Sequence, residues 1–125
     1  MFKLLIVMCG GAVGASLRWG IGLLLSPLFF SLPLGTLAAN WLGSFLIGLV
    51  LPVGAHFFSI SDYSKLFFIT GFLGSLTTFS TFSGEMTMML LEGHIGWMTF
   101  GIFAHVAGSI IMTLLGTIVI RSIMT

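Results

Sequence analysis

The sequence predicts an all-α membrane protein of four helical spans, with the third span broken at mid-depth. Three observations carry that expectation. First, 58% of the 125 residues are hydrophobic and only 6% charged, with a mean hydropathy of +1.22. A soluble domain of this size could not hide so much apolar surface. Second, a span takes roughly 20 apolar residues, so the length holds four spans with short loops and no soluble domain. Residues 1–125 therefore read as a single four-span membrane domain, with spans at about 4–25, 34–57, 65–91 and 97–120. Third, residues 71–83 interrupt the third span with the hydroxyls of Thr77, Thr78, Ser80, Thr81 and Ser83 around the rings of Phe79 and Phe82, behind Gly71 and Gly74. At membrane depth, a break in the backbone is tolerated only where it is buried in protein or lines a wet cavity. Discontinuous helices of this kind build ion sites.

Several classes fall away at once. A net charge of +1 offers no electrostatic footprint for nucleic acid. The lone Cys9 excludes an intrachain disulfide and a cysteine-cluster metal site, and it reads as packing. Residues 1–25 begin with Lys3 but carry Arg18 deep inside and no small-x-small cleavage site, so they read as a retained span rather than a cleaved signal.

In span one, Gly10 and Gly14 form a G-x-x-x-G pair with Gly11 between them. Small residues four apart let helix backbones approach closely in lipid. Arg18 follows one turn later. A guanidinium inside a span costs at least about 2.5 kcal/mol on insertion scales, so it faces protein, water or headgroups. It is either a snorkelling Arg near the helix end or a buried, hydrogen-bonded or anion-attracting one. Pro27 and Pro33 punctuate the first loop, about 26–33.

In span two, Thr36, Asn40, Ser44 and Gly48 recur every four residues and share one helix face, beside a small-residue stripe of Gly35, Ala39 and Gly43. The Asn40 carboxamide suits either helix–helix glue or anion solvation. Pro52 is expected to kink the far end of the span. A second loop, about 58–64, leads to Lys65 and span three. Glu85 there is open to three readings: an interfacial group, a partner for Arg18, or a proton-coupling site. A short loop of Glu92, Gly93, His94 and Gly96 precedes span four. There Gly101, His105, Ser109, Thr113 and Thr117 form another four-residue stripe, between Trp97 and Arg121 as interface anchors. His105 reads as a neutral interhelical hydrogen bonder or as a titrating switch. No His or carboxylate cluster makes it a metal ligand.

These stripes and the broken centre supply hydroxyls, one carboxamide and phenyl rings, with no carboxylate ring for a cation and no acid–base pair for hydrolysis. Hydroxyl and amide donors can replace an anion's hydration shell. A phenyl ring is positive at its edge. Two rings at i and i+3, turned edge-on, attract a small anion without trapping it.

At this point three motifs together resemble the Fluc (CrcB-type) fluoride channel family. They are Gly10-Gly11-x-x-Gly14-Ala15-x-x-Arg18-Trp19, then Gly35-Thr36-Leu37-x-x-Asn40-x-x-Gly43-Ser44-Phe45-x-x-Gly48, and then Gly71-x-x-Gly74-Ser75-x-Thr77-Thr78-Phe79-Ser80-Thr81-Phe82. The likeness covers the whole chain, with Trp19 where Tyr is frequent and Ser75 where Gly is. It implies an antiparallel, dual-topology homodimer of four-span subunits with two separate fluoride pores. By the resemblance, Phe79 and Phe82 line a pore by their ring edges, Asn40 donates to fluoride, and Ser80, Thr81 and Thr113 form a polar track. Ser109 and His105 belong to the same wall. The resemblance further implies a Na⁺ on the dimer axis, held by the backbone carbonyls of Gly74 and Thr77, and a structural or vestibule role for Arg18, with Glu85 beyond the broken centre.

The implied activity is passive export of cytoplasmic fluoride through the inner (plasma) membrane of a bacterial-type cell, and not enzymatic catalysis. A negative interior favours anion exit by about 2.3 kcal/mol per 100 mV. One feature pulls the other way. With the N-terminus inside, Lys3, Lys65 and Arg121 all fall on the cytoplasmic side, whereas an antiparallel dimer needs both insertions. Two other readings stand beside the channel. A proton-coupled exporter of the small multidrug type needs a membrane-embedded acid in its first span, where this chain has Arg18. A non-transporting membrane assembly subunit would fit the glycine stripes but not the hydroxyl-rich break.

Overall fold

The computed structural model describes residues 1–28, 31–53 and 61–125, and among them every regular element is helical. The order is α1 (Phe2–Leu25), a 3₁₀ turn (Ser26–Leu28), α2 (Leu34–Val50), α3 (Asp62–Lys65), a π-helical stretch (Leu66–Leu73), α4 (Gly74–Leu76), α5 (Phe79–Leu91) and α6 (Ile95–Met124). Three continuous or near-continuous helical runs are long and apolar enough to cross a membrane: Phe2–Leu28, Asp62–Leu91 and Ile95–Met124. At 17 residues α2 is shorter. The expected remainder of its span, residues 54–57, and the start of the second loop, residues 58–60, lie outside the described residues.

Small residues decide the packing. Only Gly10 and Gly14 of α1 are buried, so the helix touches protein through its G-x-x-x-G stripe. A Cβ at Gly10 would run into the Phe67 carbonyl, and one at Gly14 into that of Phe72. From the opposite side, a Cβ at Gly71 would sit 2.7 Å from the Val7 carbonyl oxygen. Backbone therefore meets backbone where α1 crosses the widened π turns. The α2–α6 crossing works the same way. Cβ atoms at Gly48 and Gly116 would strike the carbonyls of Thr113 and Phe45. Thr117 Oγ1 donates to the Gly48 carbonyl (3.1 Å), and Trp41 Nε1 donates to that of Ala104 (3.0 Å).

Local signals set the ends. Ser61 caps α3, its hydroxyl accepting from the Ser64 N–H at 3.3 Å, so span three starts at Asp62, earlier than the expected Lys65. α5 closes with Gly93 at φ 80°. The Gly93 N–H donates to the Leu90 carbonyl and that of His94 to the Met89 carbonyl, at 3.1 and 2.8 Å. This 5→2 and 6→1 pairing needs a left-handed residue, which glycine supplies. Pro52 does not kink α2. The helix ends at Val50, with the Leu51 N–H still reaching the Ile47 carbonyl (3.0 Å), because Pro52 has no N–H to continue the ladder. Among the described residues the buried cluster is small: Ala39, Leu73 and Leu76, with Ile21, Leu46, Ile47 and Phe72 packed against it. It sits at the near lip of the break in span three.

Candidate functional site

The break comprises Thr77 (φ −86°, ψ 155°) and Thr78 (φ −151°, ψ 121°), both extended, between α4 and α5. Every group that a continuous helix would have paired needs another partner here, because water is scarce at this depth. Thr77 Oγ1 turns back to the Leu73 carbonyl at 3.0 Å. Thr78 becomes the N-cap of α5, its hydroxyl oxygen accepting from the Thr81 N–H at 3.2 Å. The Thr78 N–H donates to Asn40 Oδ1 at 2.7 Å, and Asn40 Nδ2 donates to the Thr78 carbonyl at 3.1 Å. Nδ2 also lies 3.2 Å from Nδ1 of His105. Arg18 Nε donates to the Ser75 carbonyl at 3.0 Å, closing the end of the first half-span.

This rerouting takes the helical donors from the carbonyls of Gly74, Leu76 and Thr77, while that of Ser75 accepts from Arg18. In an unbroken helix the Thr78 N–H would serve Gly74, and that of Thr81 would serve Thr77. The first goes to Asn40 and the second to the Thr78 hydroxyl. Gly74 is exposed, Thr77 is half-buried, and both line a cavity of about 410 Å³. Carbonyl oxygens released at a half-helix end are suitable ligands for a hard monovalent cation such as Na⁺.

The same cavity brings together Asn40, Ser44, Thr78, Phe79 and Ser109. The rings of Phe79 and Phe82 meet edge to face, 5.4 Å between centroids at 62°. Their exposures differ sharply, 78% for Phe79 and 8% for Phe82. Phe82 is stacked obliquely on His105 at 4.4 Å. Ser80 and Thr81 are exposed on the first turn of α5, their hydroxyls clustered with that of Thr78 at 3.3 and 3.1 Å. Thr113 stands one turn past Ser109. Its hydroxyl donates to the Ser44 and Ser109 carbonyls, 3.0 Å each, binding α6 to α2.

Arg18 and Glu85 do not pair with each other among the described residues. Arg18 is held at the Ser75 carbonyl, and Thr36 Oγ1 donates to Glu85 Oε1 at 2.6 Å. The Arg18-partner reading of Glu85 is thereby replaced by a Thr36 contact. The signal for it was the Thr36–Asn40–Ser44 stripe, which faces the third span at two levels: Thr36 meets Glu85 and Asn40 meets Thr78. A second cavity, about 560 Å³, lies along α1 and α2 with Arg18, Trp19 and Thr36 in its wall.

Comparison with known proteins places this geometry in a lineage. Residues 5–117 match the family described as "CrcB-like protein, Camphor Resistance (CrcB)". A protein of Nitrosospira multiformis named fluoride-specific ion channel FluC is 47% identical over 121 residues, covering 97% of this chain and 94% of that one. Proteins of the same name from Chromohalobacter salexigens and Thiobacillus denitrificans are 51% and 52% identical, over 91% and 93% of this chain and 86% and 94% of theirs. With a family match across most of its length and relatives near half identity, the chain belongs to the CrcB family.

Proposed function

We propose that this chain is a passive fluoride channel, not an enzyme, that lets fluoride leave the cytoplasm down its electrochemical gradient. The observation that carries the reading is the extended break at Thr77–Thr78 inside an apolar span, with Phe79 and Phe82 in edge-to-face contact directly after it. The family and the names of its members point to the same ion. The working unit is an antiparallel homodimer of four-span subunits in the inner membrane. Each of its two pores is walled by the edges of Phe79 and Phe82 and by Ser80, Thr81, Ser109 and Thr113, with Asn40 and His105 beside them. What supports a second copy is the polar face that one subunit exposes along α5: Ser80, Thr81, Ser83, Gly84 and Thr87. Such a face is costly against acyl chains. A Na⁺ would be held by the backbone carbonyls of Gly74 and Thr77 from both copies, and its positive charge would offset the negative ends of the half-helices. No acid in α1 supports proton-coupled export.

The test is efflux from liposomes loaded with fluoride, followed by a fluoride electrode under a K⁺/valinomycin potential, beside a chloride-loaded control. Rapid fluoride loss with no chloride loss is the expected result. Silence from a folded dimer would leave only the fold in common with the named relatives.

A further inference from the structure

A groove of about 410 Å³ runs between α2 and the first half of span three. Its long walls are apolar, with Leu49 and Val50 of α2 on one side and Phe68 and Phe72 of the π-helical stretch on the other. Among the described residues its polar lining is confined to Ser64 and Lys65, at the end where span three begins. At the other end Leu73 also lines the cavity at the break, so the groove follows the half-span from its start to the break. The eight residues Leu66–Leu73 cover at most about 12 Å at the rise of an α-helix. One leaflet's share of a hydrocarbon core is about 15 Å.

Charge is placed to match. The side chain of Lys65 is 28% exposed, and its Nζ lies 3.9 Å from Oδ1 of Asp62, whose own side chain is 81% exposed. The ammonium therefore stands at the wet end of the groove, above an apolar wall that its stem can follow. So exposed and long a pair holds the ammonium weakly, and an ammonium has three N–H donors to share. The rings of Phe2 and Tyr63 meet edge to face, 5.3 Å between centroids, so the start of α1 lies beside α3 and brings Lys3 to the same end of the molecule. Lys3 is not part of the groove wall.

We propose that this groove is a binding site for an anionic phospholipid, with one acyl chain between α2 and the π-helical stretch and the lipid phosphate at Lys65 and Ser64. The depth suits the chain of one leaflet, and the cation at the mouth complements the phosphate. A second copy of this chain is the poorer fit. The face that suits one is the hydroxyl-rich side of α5, whereas this groove offers hydrocarbon under a positive charge. A lipid seated here packs the half-span that ends next to Gly74, so the footing of the break depends on the surrounding lipid.

Native mass spectrometry of the purified protein, released from detergent with equimolar phosphatidylglycerol and phosphatidylcholine, reads the site directly. The parent is expected to retain phosphatidylglycerol in preference to phosphatidylcholine. Lys65→Gln is expected to cut that preference about fivefold, the equivalent of one basic charge at an anionic surface, while Lys3→Gln leaves it within about twofold. Asp62→Asn removes the competing carboxylate and should raise it. Val50→Trp fills the groove with Lys65 intact and should lower retention of both lipids. Soluble glycerol 3-phosphate should displace nothing; displacement would mean a site for free phosphate without the chain, and would overturn the proposal. Equal losses in Lys3→Gln and Lys65→Gln, or no preference in the parent, would reduce the effect to general surface attraction and overturn it too. A smaller share of dimer in Lys65→Gln or Val50→Trp, at unchanged lipid retention, would give the groove to a second copy instead. None of these readouts uses fluoride flux, so the lipid site and the channel reading fail separately.

Discussion

At the scale of the residue, the telling feature is a side chain that imitates a peptide. The Asn40 carboxamide presents an acceptor to the Thr78 N–H and a donor to the Thr78 carbonyl, as a neighbouring strand would. With Arg18 on the Ser75 carbonyl and the Thr78 hydroxyl on the Thr81 N–H, three side chains satisfy part of a break that lipid could not, and the Gly74 and Thr77 carbonyls are left over. The break places Phe79 and Phe82 at the start of α5, Phe79 exposed and Phe82 buried against His105. Isoleucine keeps most of the apolar bulk and loses the ring edge. Phe79→Ile and Phe82→Ile should each cut fluoride efflux by about tenfold or more, the equivalent of roughly 1.4 kcal/mol. The two should part company in stability. Phe79 is 78% exposed and Phe82 only 8%, so Phe82→Ile should lower the thermal midpoint of the purified protein more than Phe79→Ile. Undiminished efflux in both variants would remove the rings from the mechanism.

At the scale of the element, the glycines of α1 divide into those that carry backbone contact and those that do not. A Cβ on Gly14 would strike the Phe72 carbonyl, whereas one on Gly20 would meet nothing within 4 Å. Gly14→Ala should cost about 1–3 kcal/mol through overpacking, and Gly20→Ala should add about 0.5–1 kcal/mol through helix propensity. Unfolding of the two variants in the same detergent, each against the parent, checks the pair; matching shifts would mean that the α1 crossing is not held by close approach at Gly14. That G-x-x-x-G pair was legible in the sequence because its meaning is local to one helix, and so was the break, because hydroxyls in a row contradict a lipid-facing span. Partners were not legible. Arg18 finds a carbonyl 57 residues on and Thr36 a carboxylate 49 residues on, distances over which spacing on one helix carries no information. The π-helical turns of Leu66–Leu73 left no mark either, since Leu-Phe-Phe-Ile-Thr-Gly-Phe-Leu reads as ordinary apolar helix. They coincide with the level at which Gly10 presses on the Phe67 carbonyl, a contact made only once α1 is in place.

At the scale of the whole molecule, one subunit presents two kinds of surface that want different neighbours. Leu4, Leu5, Met8, Val13 and Leu17 of α1, and Ile110, Ile111, Leu114 and Ile118 of α6, are exposed and suit lipid. The first turns of α5 expose hydroxyls, which suit protein. An antiparallel pair would join those polar faces and also bring two sets of Gly74 and Thr77 carbonyls together about one axis. The opposing argument is charge. Lys3 lies at the start of α1, Lys65 at the end of α3 and Arg121 in the last turn of α6, all on one side of the membrane if the four spans alternate, and basic residues favour the cytoplasm. Three charges against a chain otherwise almost free of them make a bias, not a lock. Thr125→Cys in a Cys9→Ser background measures the result, because Thr125 is exposed and ends the chain on the same side as those charges. An impermeant maleimide added to intact cells should label a substantial share, up to roughly half, with the remainder labelled only after permeabilisation and the shortfall from half reporting the charge bias. Labelling wholly from one side would fix a single orientation. The carbonyls of Gly74 and Thr77 would then have no antiparallel counterpart, and the central Na⁺ would be lost from the account together with the dual topology.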